Sequence, residues 1–167
     1  RKLFLVMAAP TRIRIDDPRP GVRRVTLARP EAKNAQDRAM LDQLDEAFAQ
    51  ADHDPDVRVI VLAAEGDDFS SGHDLQDFKF LGEYTPDEHR VYEDQVFLQR
   101  CWKWRNLRKP TIAQVQGRTI ASGLMLIWPC DLIIASEDAT FSDPVAGFGV
   151  NGHEFFVNAW ELGPRKA

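Results

Sequence analysis

Two glycine-containing segments hold the residues of this chain that are best suited to chemistry. The first is Phe-Ser-Ser-Gly-His-Asp-Leu at 69–75, and the second is Gly-Arg-Thr-Ile-Ala-Ser-Gly-Leu-Met-Leu at 117–126. Each follows an apolar, strand-like run, and each can direct a backbone N–H at one point. Two such donors that meet at one carbonyl oxygen form an oxyanion hole, which stabilises the negative charge that the oxygen gains in a reaction.

The elements that must position these segments begin with a hairpin and a crossover. Residues 11–16 and 21–28 alternate apolar and polar on either side of a Pro/Gly-rich turn, which predicts two strands. Apolar residues recur at helical spacing over 40–51, which predicts an amphipathic helix with Asp37 near its start. The β-branched run at 57–62 predicts the next strand, so strand, helix and strand form a right-handed crossover unit.

In the second half of the chain, the sequence pattern predicts one more helix before the second glycine segment. Residues 85–107 are polar with some apolar positions at helical spacing, which indicates a lid or peripheral helix that ends before Pro110. The expected apolar face of that helix consists of Val91, Phe97, Leu98 and Trp102. Strands are predicted at 111–116 and 131–135, and between them the second glycine segment opens a helix that runs through Trp128.

Both glycine segments are therefore expected to join a strand to a helix. The N-terminus of a helix carries unpaired N–H groups and a dipole that favours negative charge, so a substrate carbonyl can sit between the two turns. An ordinary structural joint between strand and helix explains the same residues. The pattern alone leaves both interpretations open.

Composition limits the class of protein. The 167 residues are 44% hydrophobic and 28% charged, which is typical of a soluble single globular domain. A net charge of −5 without a basic stripe argues against nucleic acid as a partner. Cys101 and Cys130 are the only cysteines, and their apolar neighbourhoods predict buried free thiols, no metal site and a reducing compartment.

Residues 1–10 are interpreted as an N-terminal extension. They have a basic start and a short apolar stretch, a faint secretory-signal pattern, but Met7 looks like an ordinary protein start preceded by extra residues. The most apolar stretch, 120–134, is interrupted by Pro129 and Asp131, so we expect no membrane-spanning segment.

Several motifs, in this order, resemble the enoyl-CoA hydratase/isomerase, or crotonase, superfamily. Arg-Pro and Asn-Ala stand at 29–35, a Gly-x-Asp loop at 69–75, a Gly-rich helix start followed by Cys-Asp at 117–131, and Phe-x-x-Pro at 141–144. The resemblance covers about residues 11–163. It implies an α/β fold, the crotonase-like (ClpP/crotonase) spiral of ββα units.

The resemblance also concerns the length of the chain. It implies a core domain over residues 11–167 that is truncated before the C-terminal helical region, with Gly163-Pro164 as the start of another helix. In relatives that region completes the pocket and builds trimers, so the chain is interpreted as incomplete. An incomplete core exposes apolar surface, and we expect a homo-oligomer, a trimer or hexamer by family resemblance.

The resemblance assigns the site residues by position. The two oxyanion donors are the backbone N–H groups of His73 and Ser122. The positions expected to contact the coenzyme A thioester are Ala32, Lys33, Gly72, His73, Asp74, Leu75, Gln76 and Ser122. Coenzyme A enters only as part of the substrate, with no permanently bound cofactor and no metal. A solvated surface charge is the alternative interpretation of Lys33.

Hydratases of the family carry catalytic glutamates at two positions, which are Met125 and Val145 here. Neither side chain can move a proton, whereas adding water to a double bond requires a base and an acid. A two-glutamate hydration is therefore not expected. The oxyanion hole is independent of this loss because its donors are backbone groups.

Other residues are candidates for proton transfer. Some relatives place an acid, base or nucleophile eight positions beyond the second glutamate site, which leads to His153 with Glu154 beside it. Asp143 is a further candidate. The alternatives are a surface-loop histidine and an aspartate that forms a turn before proline. No role is assigned to His53 or His89.

The resulting hypothesis is a cytoplasmic acyl-CoA enzyme of fatty acid metabolism that forms an enolate during isomerisation, hydrolysis or another lyase step. One alternative is a non-catalytic acyl-CoA-binding module that keeps the oxyanion hole. Another is an interaction protein whose glycine segments are only structural joints.

Overall fold

The computed structural model describes residues 10–77, 84–148, 155 and 157–166. The described chain opens with strands β1 (Ile13–Arg19) and β2 (Val22–Leu27), which pair antiparallel as the predicted hairpin. A 3₁₀ turn (Pro30–Ala32), helix α1 (Arg38–His53) and strand β3 (Val59–Ala64) follow. Strand β3 is parallel to β2, so the predicted strand–helix–strand unit is confirmed.

The second half alternates short helices and short strands. In chain order it contains helix α2 (Pro86–Glu93), a π-helical turn (Asp94–Leu98), helix α3 (Gln99–Arg105), strand β4 (Thr111–Val115), strand β5 (Arg118–Ile120), helix α4 (Gly123–Ile127), strand β6 (Leu132–Ala135), strand β7 (Thr140–Ser142), a 3₁₀ turn (Val145–Phe148) and helix α5 (Asn158–Leu162).

Sheet topology brings both glycine segments to one edge. The five-stranded sheet has the order β1-β2-β3-β4-β6, and β2, β3, β4 and β6 run parallel. The carboxyl ends of parallel strands lie at the same edge of a sheet, which is where α/β proteins build their sites. The segments after β2, β3 and β4 therefore meet there. A separate two-stranded parallel sheet, β5-β7, continues from the second glycine segment.

Helix α1 covers the sheet with the face that its sequence predicts. The predicted apolar residues are all buried: Met40, Leu41, Leu44, Ala47, Phe48 and Ala51. The helix begins where expected because the Asp37 carboxylate accepts a hydrogen bond of 2.8 Å from the Met40 N–H. An N-cap of this kind contributes about 1 kcal/mol.

The expectation that both glycine segments feed a helix directly is wrong in detail. After the first segment the residues at 75–77 form a turn, and the next helix described begins at Pro86. In the second segment, strand β5 intervenes between β4 and α4. A three-residue strand is fixed by its pairing with β7, which is a tertiary contact that a local pattern does not report.

The region at 85–107 is continuously helical from Pro86 to Arg105 and ends before Pro110, as predicted. It contains a π-helical turn at 94–98 between α2 and α3, and the wider winding there changes which positions face inward. Phe97 is buried as predicted, but Val91 and Trp102 are exposed, and Trp104 is buried instead. The second half of the region therefore belongs to the core.

Three further expectations can be checked in the described residues. Cys101 and Cys130 are buried free thiols, as predicted, and burial raises the pKa of the Cys130 thiol to about 12. Gly163 follows the end of α5 and 164–166 form a turn, so a helix that begins at Gly163-Pro164 stays a prediction. Among the described residues, no helix has the length and apolar character needed to cross a membrane.

Candidate functional site

Short β-bridges join the glycine segments to each other and to the segment after β2. Gln36 pairs with His73, and Ser70 pairs with Thr119, both in parallel. The Gln36 N–H donates to the Gly72 carbonyl at 2.8 Å, and the Asp74 N–H donates to the Gln36 carbonyl at 2.9 Å. In this parallel bridge the residues before and after His73 make the bonds to Gln36. The N–H of His73 itself then points to the other side of its strand. The His73 N–H therefore points away from Gln36.

Gly72 is one of the positions where the two glycine segments pack closely. Its φ is +96°, in the left-handed region that favours glycine. A Cβ built on Gly72 would lie 3.0 Å from the Ile120 carbonyl oxygen and 3.4 Å from the Ser122 Oγ. The segments pack this closely because Gly72 has no side chain. Residue 72, which precedes the first expected donor, thus lies close to residue 122, which contains the second.

Ser122 lies directly before helix α4 and is fully buried. Within the described part of the chain its N–H donates to no acceptor, and its Oγ has no hydrogen-bond partner. The carbonyl of Ser122 does accept a hydrogen bond, from the Met125 N–H at 3.0 Å. The residue therefore presents two donors next to Gly72, one from the backbone and one from the side chain.

A buried hydrogen-bond network holds the first segment from behind. The Ser70 hydroxyl donates to the Asn34 carbonyl at 2.9 Å. It accepts from the Gln36 Nε2 and from the Gly72 N–H, each at 3.3 Å. Sequence reasoning missed the structural role of Ser70 and Gln36, because a polar residue beside glycine looks like an ordinary loop residue until its burial is known.

An ion pair links the early Arg-Pro motif to the Gly-x-Asp loop. The Arg29 Nη1 donates to the Asp74 Oδ2 at 2.6 Å and to the Ala35 carbonyl at 3.0 Å. Burial alone would raise the pKa of Asp74, but hydrogen bonds from Arg29 and from the Gln76 N–H lower it overall. Asp74 is thus a charged anchor for the loop that carries His73. Both residues stand in the motifs that indicated the family, but their pairing was not predicted.

The His73 imidazole packs against the Phe97 ring of the π-helical turn, with ring centroids 4.2 Å apart. Burial lowers the pKa of this histidine to about 4, so the ring is neutral at pH 7. The imidazole is therefore a neutral ring packed on an aromatic residue. The main-chain N–H of His73 stays the expected donor.

The two positions compared with the hydratase glutamates differ in their environments. Met125 is buried in α4, and its carbonyl accepts a hydrogen bond from the Cys101 Sγ at 3.5 Å. Val145 opens the last 3₁₀ turn, and its N–H donates to the Asp143 Oδ1 at 3.5 Å. The exposed Asp143 side chain thus contacts the backbone of this turn, as the alternative interpretation expects, and its role in proton transfer stays a prediction.

Most of the other expected site residues lie at the surface beside the first glycine segment, and two lie outside the described residues. Ala32 is half-buried, and Lys33 is exposed at the end of the 3₁₀ turn, where its carbonyl accepts from the Ser71 N–H. Leu75 and Gln76 are exposed beside the first glycine segment. His153 and Glu154 lie outside the described residues. No group of three or more metal-ligating side chains is found in the described ranges.

Comparisons with known proteins give the family to which the chain is similar. The sequence profile of the enoyl-CoA hydratase/isomerase family matches residues 18–167. Putative enoyl-CoA hydratase EchA13 of Mycobacterium tuberculosis is 44% identical over 171 aligned residues, which cover 91% of this chain and 53% of that protein. Mitochondrial enoyl-CoA hydratase domain-containing protein 3 of Homo sapiens is 36% identical, over 82% of this chain and 46% of that protein.

Solved structures give the same result for the fold. A probable enoyl-CoA hydratase from Mycobacterium smegmatis superposes with a TM-score of 0.84 at 46% identity, covering 93% of this chain and 61% of that one. A probable enoyl-CoA hydratase from Mycobacterium thermoresistibile gives a TM-score of 0.85 at 48% identity, covering 93% and 62%.

The chain belongs to the enoyl-CoA hydratase/isomerase family, and the crotonase-like α/β fold expected from the motifs is confirmed. It spans about half the length of the curated relatives that it matches.

Proposed function

We propose that this chain handles acyl-CoA thioesters and stabilises the thioester enolate with the backbone N–H groups of His73 and Ser122. The observation that carries the proposal is the packing of Gly72 against Ser122 at the carboxyl edge of the parallel sheet. The outward direction of the His73 N–H supports it, as does the lack of an acceptor for the Ser122 N–H among the described residues.

Two backbone donors suit this task because they cost no rearrangement when charge develops on the oxygen. Each donor of an oxyanion hole contributes about 3 kcal/mol of transition-state stabilisation. The network around Ser70 and the Arg29–Asp74 ion pair keep the first donor in place. Rigid support of this kind is what an oxyanion hole needs.

Coenzyme A is proposed to lie along the rim of the site as part of the substrate. Lys33 is an exposed cation next to the loop and suits the phosphates at the nucleotide end. Ala32 lies beside it, while Asp74, Leu75 and Gln76 border the path of the pantetheine and thioester. No permanently bound cofactor is part of the proposal.

The reaction is proposed to be an enolate-forming step other than two-glutamate hydration. Met125 and Val145, at the positions compared with the hydratase glutamates, have side chains that transfer no protons. Isomerisation, thioester hydrolysis and other lyase steps all pass through a charged thioester oxygen, so the same pair of donors serves each of them. His153, Glu154 and Asp143 stay the proposed acid–base candidates from the sequence.

Met125 and Val145, in place of the hydratase glutamates, favour a second candidate function, a non-catalytic acyl-CoA-binding module. Binding and turnover separate the two. The chain is titrated with butyryl-, octanoyl- and palmitoyl-CoA by calorimetry, and is then assayed for turnover with saturated, enoyl and hydroxyacyl thioesters. Binding with turnover supports the enzyme, binding without turnover supports the module, and absence of binding contradicts both.

His153→Ala tests the sequence-based acid–base assignment in the same assay. If His153 transfers the proton, we expect turnover to fall by about 100-fold while acyl-CoA binding is kept. The exposed-histidine variant His53→Ala is the matched control. Unchanged turnover in His153→Ala would remove His153 from the site.

A further inference from the structure

We propose that Glu93 is a further acid–base residue of this site, in addition to the candidates named from the sequence, and moves a proton to and from the acyl chain of a bound thioester. This proposal rests on the proposed acyl-CoA function and deepens it. It supplies the proton-transfer group that Met125 and Val145 do not provide.

Glu93 is a buried carboxyl group at the end of α2, immediately before the π-helical turn. Only 8% of the residue is exposed, although glutamate is almost never fully buried without a partner. The half-exposed His89 imidazole, one helical turn earlier, has its Nε2 3.8 Å from the Glu93 Oε1. The Glu93 side chain is therefore largely removed from solvent and has His89 of its own helix beside it.

The helix face that carries Glu93 is the face turned toward the oxyanion segments. Glu93, Val96 and Phe97 are spaced as one helical face, and all three are buried. Phe97 lies against the His73 ring at 4.2 Å, so this face covers the residue that supplies the first donor. Val96 and Phe97 also line a small apolar cavity together with Gln36 and Met125. Glu93 thus lies one helical turn before Phe97, the residue whose ring contacts His73.

The local helix geometry supports a functional role. The π-helical turn at 94–98 begins directly after Glu93. π-helical turns are costly insertions into helices and occur frequently at functional sites. Phe97, the residue whose ring contacts His73, lies within this turn.

The chemistry of a desolvated carboxyl group suits this task. The Glu93 carboxylate takes a proton from the acyl α-carbon, so the C–H bond breaks and an O–H bond forms on the carboxyl. The electron pair of the C–H bond moves into the enolate, whose oxygen is held by the two backbone N–H groups. Returning the proton to the acyl chain restores the carboxylate. Burial raises the pKa of Glu93 to about 7, which suits a group that both accepts and donates a proton near neutral pH.

Exchange of the acyl α-protons with D₂O tests the proposal. The chain is incubated with butyryl-, octanoyl- and palmitoyl-CoA, and deuterium at the α-carbon is followed by mass spectrometry. We expect exchange in the unchanged chain and a loss of about 100-fold or more in Glu93→Gln, with acyl-CoA Kd values within about threefold. Glu93→Asp keeps a carboxyl group on a side chain that is one methylene shorter, so it should retain part of the exchange.

Asp87→Asn is the matched control, because it removes the same charge from an exposed position on the same helix. It should exchange as the unchanged chain does. Exchange that persists in folded Glu93→Gln, or is absent from the unchanged chain despite acyl-CoA binding, overturns the role of Glu93 and leaves the binding function intact. Failure of the unchanged chain to bind any acyl-CoA overturns the proposed function itself.

Discussion

At the scale of single residues, two buried serines at the site differ in their hydrogen bonding. Ser70 and Ser122 are both fully buried. The Ser70 hydroxyl has three polar contacts, with Asn34, Gln36 and Gly72. The Ser122 hydroxyl has no partner among the described residues. A buried hydroxyl costs free energy when it lacks a partner and stabilises the fold when it has one.

Alanine substitution at the two serines should therefore have opposite effects. Ser122→Ala removes an unsatisfied hydroxyl and keeps the backbone N–H, so we expect an unchanged or slightly higher free energy of unfolding. Ser70→Ala leaves the groups around it without a partner and should lower the free energy of unfolding by about 2 kcal/mol. Urea unfolding of both variants measures this. A loss of stability in Ser122→Ala as large as in Ser70→Ala would contradict the assignment.

His73 makes the stability of the folded chain sensitive to acid. Its pKa is lowered by burial to about 4, below the ordinary value of 6.5. The unfolded chain thus takes up the proton first, and the stability contributed by neutral His73 is complete above pH 6.5 and is lost as the pH falls toward 4. We expect neutral His73 to contribute at most about 3 kcal/mol to the free energy of unfolding.

The variant pair His73→Gln and His53→Gln isolates this effect. His73→Gln should flatten the dependence of unfolding free energy on pH between 6.5 and 4, whereas the exposed His53 should not matter. Denaturant unfolding at several pH values gives the slopes. The same acid sensitivity in His73→Gln as in the unchanged chain would contradict the buried, neutral state of His73.

At the scale of elements, the site depends on how closely the two glycine segments pack. Gly72→Ala places a Cβ 3.0 Å from the Ile120 carbonyl oxygen at a φ of +96°. We expect a loss of about 1–3 kcal/mol in unfolding free energy and weaker acyl-CoA binding, because residues 72 and 122 must separate. Gly147→Ala is the control, since no atom of the described residues lies within 4 Å of its added Cβ. Equal stability and binding in both variants would show that the close packing is unimportant.

The longer elements could be predicted from sequence, and so could β6 and α4, but the three-residue strands could not. Helix α1 was predicted because its apolar spacing, its cap at Asp37 and its length all agree. Strands β5 and β7 are each three residues long and are defined by their pairing. The π-helical turn was missed because local apolar spacing does not report where a helix widens.

Only the backbone part of the candidate site, the two glycine segments, could be located from sequence. The glycine segments marked the sheet edge correctly, because glycine reports close approach directly. Glu93 was not predicted, since a glutamate in a polar helical stretch looks like a solvated residue until the fold buries it.

At the scale of the whole molecule, apolar side chains are exposed on one edge of the sheet. Leu132 and Ile134 in β6 are 59% and 60% exposed, and β6 is an edge strand. Phe141, Trp160 and Leu162 are exposed in the following elements. An apolar surface on an edge strand favours association. This supports the proposal that the chain forms a homo-oligomer.

Light scattering after size-exclusion chromatography tests this proposal. We expect the chain to run as a homo-oligomer and the double variant Leu132→Lys with Ile134→Lys to run as a smaller species. Ile15→Lys is the control, because Ile15 is exposed on β1 at the opposite edge of the same sheet. A monomer at every concentration, or an oligomer that only Ile15→Lys disrupts, would contradict association through β6.

A crystal structure of the chain with a saturated acyl-CoA bound tests the central claim most directly. The account predicts that the thioester oxygen lies within about 2.7–3.2 Å of both backbone nitrogens, those of His73 and Ser122. An acyl-CoA bound with that oxygen on other groups, or on only one of the two nitrogens, would contradict the account.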